Sequence, residues 1–212
     1  ALGSFYRLNS SNGSFTAVQF GTVGDVPAPA DFDGDGRADI AVFRASSGAW
    51  YRLNSSDGQF LANQFGTAGD APLPADFDGD GKADLAVFRP ASGTWYRLNS
   101  SNNQLVSTQF GASGDKPVAA DYDGDNKTDV AVFRPSNGSW YVLNSSSGAF
   151  SGTQFGIAED RPSPADFDGD GRADLAVFRP STGSWYLLRS TQGFTGVQFG
   201  VAEDLPTPGA FV

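Results

Sequence analysis

A single period constrains this chain more than any other feature. Asp31, Asp76, Asp121 and Asp166 are each 45 residues apart, as are Trp50, Trp95, Trp140 and Trp185, and Phe5 sits one period earlier. The tripeptide Gln-Phe-Gly recurs at Gln19, Gln64, Gln109, Gln154 and Gln198, the last step being 44. The 14 residues from Asp31 to Arg44 differ from Asp166–Arg179 only by Ile40 becoming Leu175. Self-similarity at this length means that one supersecondary unit stacks on copies of itself and buries a face that a lone unit leaves open.

Within a unit the apolar runs are 5 to 8 residues long, bounded by Gly, Pro, Asn or Ser. They are too short for helices and read as strands. In Leu85-Ala86-Val87-Phe88, Leu85 and Val87 face one way and Ala86 and Phe88 the other, so the strand is apolar on both faces and buried on both. Four such strands per unit, each sheet sandwiched by the next, describe a blade of an all-β propeller without helices. An open β-solenoid is the alternative.

The number of blades follows from arithmetic. The Trp/Phe-Tyr strand and the Gln-Phe-Gly strand each occur five times, but the acidic loop only four. Five units would need 225 residues, and the 212-residue chain is 13 short. One missing residue lies before Gln198; the other 12 fall at a seam where Val212 aligns with Asp33 and Ala1 with Ser46. The expectation is one domain over 1–212: a five-bladed ring with units starting near 31, 76, 121 and 166, and a fifth blade shared by 1–24 and 200–212. That seam blade lacks a strand equivalent to Asp39–Arg44, so it is three-stranded or the chain belongs to a longer array. The absence of an initiator Met fits a processed N-terminus.

Composition enters at the acidic loops. Of 24 acidic residues 22 are Asp, and 16 of these lie in four loops. Asp is the short carboxylate that suits turns and metal ligation. The loops carry Asp31, Asp33, Asp35 and Asp39; Asp76, Asp78, Asp80 and Asp84; Asp121, Asp123, Asp125 and Asp129; and Asp166, Asp168, Asp170 and Asp174. Arg37, Lys82, Lys127 and Arg172 stand at the seventh position, where a backbone carbonyl would join the carboxylates. Three carboxylates at alternate positions, a sharp turn and a fourth carboxylate at position 9 make an all-oxygen cage sized for Ca²⁺. Position 12 is Val42, Val87, Val132 or Val177 inside a strand, which excludes an EF-hand. Asn126 replaces a glycine in the third loop and is the next-best residue at positive φ. Metal-free Asx turns would leave four carboxylates crowded together and repelling one another. About four structural Ca²⁺ ions are expected, one per loop.

The run Asp-Phe-Asp-Gly-Asp-Gly-Arg-Ala-Asp-Ile-Ala-Val-Phe-Arg at 31–44, with Phe20-Gly21 upstream, resembles the FG-GAP/VCBS repeat. The resemblance covers the four complete units and, without the acidic loop, both terminal pieces. It implies a β-propeller with Ca²⁺ in the loop joining the innermost strand to the second. It also implies a secreted or cell-surface setting of bacterial type, because Phe-Arg-Pro or Phe-Arg-Ala stands where integrin-type repeats carry Gly-Ala-Pro. Adhesion, glycan binding or companionship to polysaccharide-degrading enzymes are the roles it suggests.

Other recurring residues have structural and binding readings. Trp50, Trp95, Trp140 and Trp185 could stack on sugars, but packing between blades is the favoured reading. Arg44, Arg89, Arg134 and Arg179 could bind a ligand, or could pair with the recurring Asp25, Asp70, Asp115, Asp160 and Asp204. The Asn-Ser-Ser triplets at Asn9, Asn54, Asn99 and Asn144 suit hairpin turns. A net charge of −10 argues against nucleic acid, and no run of 18 apolar residues is present to span a membrane. With no His, no Cys and only Glu159 and Glu203 outside the Asp set, the residues do not point to an enzyme. The function expected is a secreted, calcium-stabilised binding module, carbohydrate-binding or adhesive, with glycan or extracellular protein partners and multivalent through equivalent sites. The alternative is an extracellular scaffold, or the accessory propeller of a larger secreted polysaccharide-degrading protein.

Overall fold

The computed structural model describes residues 3–9 and 12–207. It is all-β: the described residues hold 18 strands and no helix. Four four-stranded antiparallel sheets follow one another along the chain. Blade 1 comprises β3 (Asp25–Pro27), β4 (Ile40–Arg44), β5 (Ala49–Leu53) and β6 (Phe60–Gln64). Blade 2 is β7 (Ala71–Pro72), β8 (Leu85–Arg89), β9 (Thr94–Leu98) and β10 (Leu105–Gln109). Blade 3 is β11 (Lys116–Pro117), β12 (Val130–Arg134), β13 (Ser139–Leu143) and β14 (Phe150–Gln154). Blade 4 is β15 (Arg161–Pro162), β16 (Leu175–Arg179), β17 (Ser184–Arg189) and β18 (Gly193–Gln198). Each sheet is a meander: short turns join its second, third and fourth strands, and a longer loop joins the first to the second.

The second strand is the heart of each blade. Ala41, Phe43, Ala86, Val87, Phe88, Ala131, Phe133, Ala176 and Val177 are fully buried. Its two faces serve two neighbours. Leu85 and Val87 join Phe43 and Trp50 of blade 1, whereas Ala86 and Phe88 join Val130 and Val132 of blade 3. A third cluster links Phe133, Trp140 and Val142 to Val177. The hydrophobic core is therefore three blade junctions in series.

The Gln-Phe-Gly motif ties the fourth strand to the turn and the third strand of its own blade. Gln64 Nε2 donates to the Ser47 carbonyl at 2.7 Å, and Trp50 Nε1 donates to the Phe65 carbonyl at 2.8 Å. Gly66 has φ 126°, and a Cβ there would lie 3.1 Å from the Phe43 ring, so the position needs glycine on both counts.

The propeller has four blades, which corrects the expected five. Of the fifth unit the described residues contain one two-stranded sheet, β1 (Ser4–Leu8) paired with β2 (Phe15–Gln19). These strands correspond to the third and fourth of a blade. Among the described residues the buried second strand has no counterpart, nothing hydrogen-bonds the hairpin to a first strand, and 199–207 holds no strand. Residues 1, 2, 10, 11 and 208–212, which include part of the expected seam, lie outside the described residues.

Candidate metal centres and the blade junctions

Each acidic loop joins the first strand of its blade to the second and is closed by a bridge, Ala30 to Asp39 in blade 1. The fold brings together three of its four carboxylates. Asp31, Asp33 and Asp39 each place a carboxylate oxygen within 4.8 Å of the others, as do Asp76, Asp78 and Asp84; Asp121, Asp123 and Asp129; and Asp166, Asp168 and Asp174. Four Asp triads could thus each hold a metal ion. The fourth carboxylate turns aside: Asp35 Oδ2 accepts from Ser55 Oγ at 2.8 Å, and Asp80, Asp125 and Asp170 accept from Ser100, Ser145 and Ser190.

The loop winds around its first carboxylate. The N–H groups of Gly34 and Gly36 donate to Asp31 Oδ1 and Oδ2 at 2.6 and 2.8 Å. Gly36 has φ 79°, and in the third loop Asn126 takes φ 63° and makes the same bond to Asp121. The last carboxylate is buried. Asp39 accepts from Phe32 N–H at 2.9 Å and from Ser55 N–H at 2.6 Å. Burial pushes the Asp39 carboxyl above the usual range against these two bonds, and repulsion from Asp33 and Asp31 adds to it. Asp84 and Asp129 are raised in the same way, chiefly by burial. In contrast, the hydroxyl of Ser56 lowers Asp33 and that of Thr191 lowers Asp168.

The side chains at position seven reach across junctions. Lys82, Lys127 and Arg172 lie over Gly34, Gly79 and Gly124 of the preceding loop, and the N–H groups of Ala83, Thr128 and Ala173 donate to the carbonyls of Asp31, Asp76 and Asp121 at 2.7 Å. Arg37 occupies the same position in the first loop. The four loops therefore form a continuous acidic strip, each hydrogen-bonded to the next.

Does this site suit a metal? Its donors are all oxygen, and two of them are orphaned. Asp123 Oδ1 and Asp168 Oδ1 are shielded from water and have no hydrogen-bond partner. A buried, unpartnered carboxylate oxygen is costly unless a cation meets it. The residues present fit a hard cation.

The remaining candidates sit elsewhere. Trp50, Trp95 and Trp140 are 0%, 0% and 1% exposed, so they leave no ring face for a sugar; Trp185, on blade 4, is half-buried. Arg44, Arg89, Arg134 and Arg179 clasp Asp25, Asp70, Asp115 and Asp160 through Nε at 2.8–2.9 Å, with Nη2 on the second oxygen. Their guanidinium planes cover Tyr51, Tyr96, Tyr141 and Tyr186 at 4.4–4.6 Å. The serines that follow Asn54, Asn99 and Asn144 hold loop carboxylates, a partnership that sequence reading missed. Its signal was there: Ser55 and Ser56 recur as Ser100 and Ser101, and as Ser145 and Ser146.

The FG-GAP-like repeat model matches residues 31–87, 76–132 and 121–177, and the FG-GAP repeat model matches 161–196. The chain belongs to the FG-GAP repeat family. A comparison with curated proteins finds no match. Among solved structures, a streptogramin B lyase superposes on this FG-GAP propeller with a TM-score of 0.62 at 11% identity, over 93% of this chain and 62% of that one. An Agrocybe aegerita lectin, described by its specific recognition of non-reducing terminal N-acetylglucosamine, gives 0.60 at 21%, over 90% and 58%. At these identities the likeness shows the propeller fold alone. The FG-GAP chain spans 58% and 62% of the length of these two proteins.

Proposed function

We propose that this FG-GAP propeller is a secreted, calcium-stapled binding module that recognises glycans or extracellular proteins and is not an enzyme. The observation that carries the metal is the fourfold repeated carboxylate triad, with its shielded, unpartnered oxygens at Asp123 and Asp168. All-oxygen donors suit Ca²⁺. Asp31, Asp33 and Asp39 and their equivalents would hold it, with the Arg37 carbonyl as a further donor in the first loop, and Asp35 would join them only by leaving Ser55. Bound Ca²⁺ would supply the positive charge that these loops lack, and four ions would bring the net charge of −10 to about −2. With Ca²⁺ bound, the Asp triad would hold the loop between the first and second strands closed, and the loop-to-loop hydrogen bonds would carry that restraint across the junctions.

Binding rather than catalysis is supported by the absence of His and Cys and by the repetition itself. Near-identical units present near-identical surfaces, and weak sites shown together gain avidity. The lectin of similar fold supports a glycan as the ligand class. The membrane observation is limited to this: no helix is long and apolar enough to cross one.

A thermal melt in millimolar Ca²⁺ and in EDTA tests the metal. One site at 100 times its Kd contributes about 2.7 kcal/mol, which for a chain of this size is roughly 5–10 °C in Tm. Four sites should exceed that shift, and a melt that EDTA leaves unchanged would sink the calcium assignment. A glycan array probed with Ca²⁺-loaded protein tests the ligand class.

A further inference from the structure

A cavity of about 360 Å³ opens between blades 3 and 4. The other junctions provide its control. Blade 4 gives it the same apolar wall that blade 2 gives the first junction, with Leu175 and Leu188 in place of Leu85 and Leu98. Blade 3 does not match blade 1. Val142 stands for Arg52, Ser151 for Leu61 and Thr153 for Asn63; the first two changes remove side-chain volume and the third leaves it about the same.

At the first two junctions an arginine occupies this place. Arg52 lays its guanidinium 4.8 Å over the Phe32 ring and donates from Nη2 to Asn63 Oδ1 at 3.0 Å; Arg97 lies 5.1 Å over Phe77. Their charges face the carboxylates of their own loops, Asp39 for Arg52 and Asp84 and Asp78 for Arg97. Blade 3 keeps those carboxylates as the buried Asp129 and as Asp123. It keeps the aromatic ring as Tyr122 and an acceptor hydroxyl at Thr153. The arginine that would meet them from the third strand is gone, replaced by Val142. Arg189 touches the cavity but spends its guanidinium on Gln192 and the Gly193 carbonyl in its own turn.

We propose that this cavity binds a guanidinium-bearing ligand, whose cation stacks on Tyr122 and faces the acidic loop as Arg52 and Arg97 do at the other junctions. It is a single site in a repeated molecule, and it goes beyond the multivalent role proposed above.

The test is a titration of the Ca²⁺-loaded protein followed by the four Trp indole N–H resonances, since Trp140 lines the cavity. The probes are methylguanidinium, free arginine and an acetylated, amidated Gly-Arg-Gly peptide, with N-acetylglucosamine as the neutral arm. A saturable shift of the Trp140 resonance in the millimolar range is expected with the guanidinium probes. Tighter binding of the peptide would assign a protein side chain as the source, and tighter binding of free arginine a small molecule. Val142→Arg should weaken binding at least tenfold and should fold, because two other junctions carry arginine there. Arg97→Val with Val106→Ser should open a second site and add a shift at Trp95, so the proposal stays testable if the first variant is unstable. No saturable shift, binding unchanged in Val142→Arg, or a Trp140 shift with N-acetylglucosamine and not with guanidinium would overturn it.

Discussion

In the four complete blades the second strand reads Ile-, Leu- or Val-Ala-Val-Phe-Arg, whereas the fourth reads Phe-Leu-Ala-Asn-Gln, Leu-Val-Ser-Thr-Gln, Phe-Ser-Gly-Thr-Gln or Gly-Phe-Thr-Gly-Val-Gln. The first is largely buried in every blade, and in blades 2 and 3 one face packs on the preceding blade and the other on the next. The second alternates between half-buried and exposed residues, or is exposed throughout in blade 3. Close packing on two faces leaves a side chain almost no freedom of volume. The outer strand is held by its hydrogen bonds to the third strand and keeps only the terminal Gln, which pins the turn between the second and third strands. Among the strands, identity between repeats therefore follows burial.

The largest difference should come from cutting one phenylalanine in each half. Phe88 is fully buried in β8, and Phe150 is 64% exposed in β14. Phe88→Ala should cost about 3–5 kcal/mol, because it opens a cavity between two blades. Phe150→Ala should cost less than about 1 kcal/mol. Urea unfolding in Ca²⁺ measures both, and equal losses would break the comparison.

A middle-sized effect is expected at the edge of the inner half, where Arg89 clasps the buried Asp70. Arg89→Gln should cost about 2 kcal/mol, less than for a wholly buried pair because the arginine is partly exposed. The pH dependence gives a second reading. Burial alone would raise the Asp70 carboxyl, but the Arg89 bonds and the Thr67 N–H together hold it below its ordinary value of 3.8. A depressed carboxyl contributes stability that is present above its unfolded pKa and is lost as pH falls through the folded one. In Arg89→Gln burial takes over and that contribution is removed. The gap between variant and parent should therefore narrow below about pH 4, as stability curves at graded pH would record.

The same division explains what was legible in the sequence. Strand type and the two-sided face of Leu85–Phe88 could be read from alternation, and the carboxylates at alternate positions from their spacing. The blade count could not be read in the same way. The Trp/Phe-Tyr and Gln-Phe-Gly signals belong to the outer half and occur five times, but a blade needs the buried second strand, which occurs four times. Counting outer motifs thus counted the β1–β2 hairpin as a blade. The serine partners of Asp33 and Asp35 were hidden because they lie 23 and 20 residues away, across a turn. The cavity was hidden for a related reason. Val142 for Arg52 is a single change along the chain, and its meaning appears only when the facing wall of the next blade is in place.

The smallest effect tests whether the outer half has any energetic order of its own. Tyr141 and Phe150 stack with centroids 6.0 Å apart and planes 12° apart. They are diagonal neighbours across β13 and β14, and the residue opposite Tyr141 is Gly152, which leaves the ring room to lie flat. Arg134 covers the other face of the tyrosine at 4.6 Å. An aromatic pair of this kind couples by roughly 0.5–1 kcal/mol. Blade 2 supplies the control, because Leu105 replaces the phenylalanine beneath Tyr96. A double-mutant cycle on Tyr141 and Phe150 should give a coupling of about that size, and one on Tyr96 and Leu105 about half of it. Equal couplings would mean that the outer rings bury area without stacking order. A coupling above about 2 kcal/mol in blade 3 would place its outer strand under the same packing control as the inner one, and the contrast between the halves would fail there.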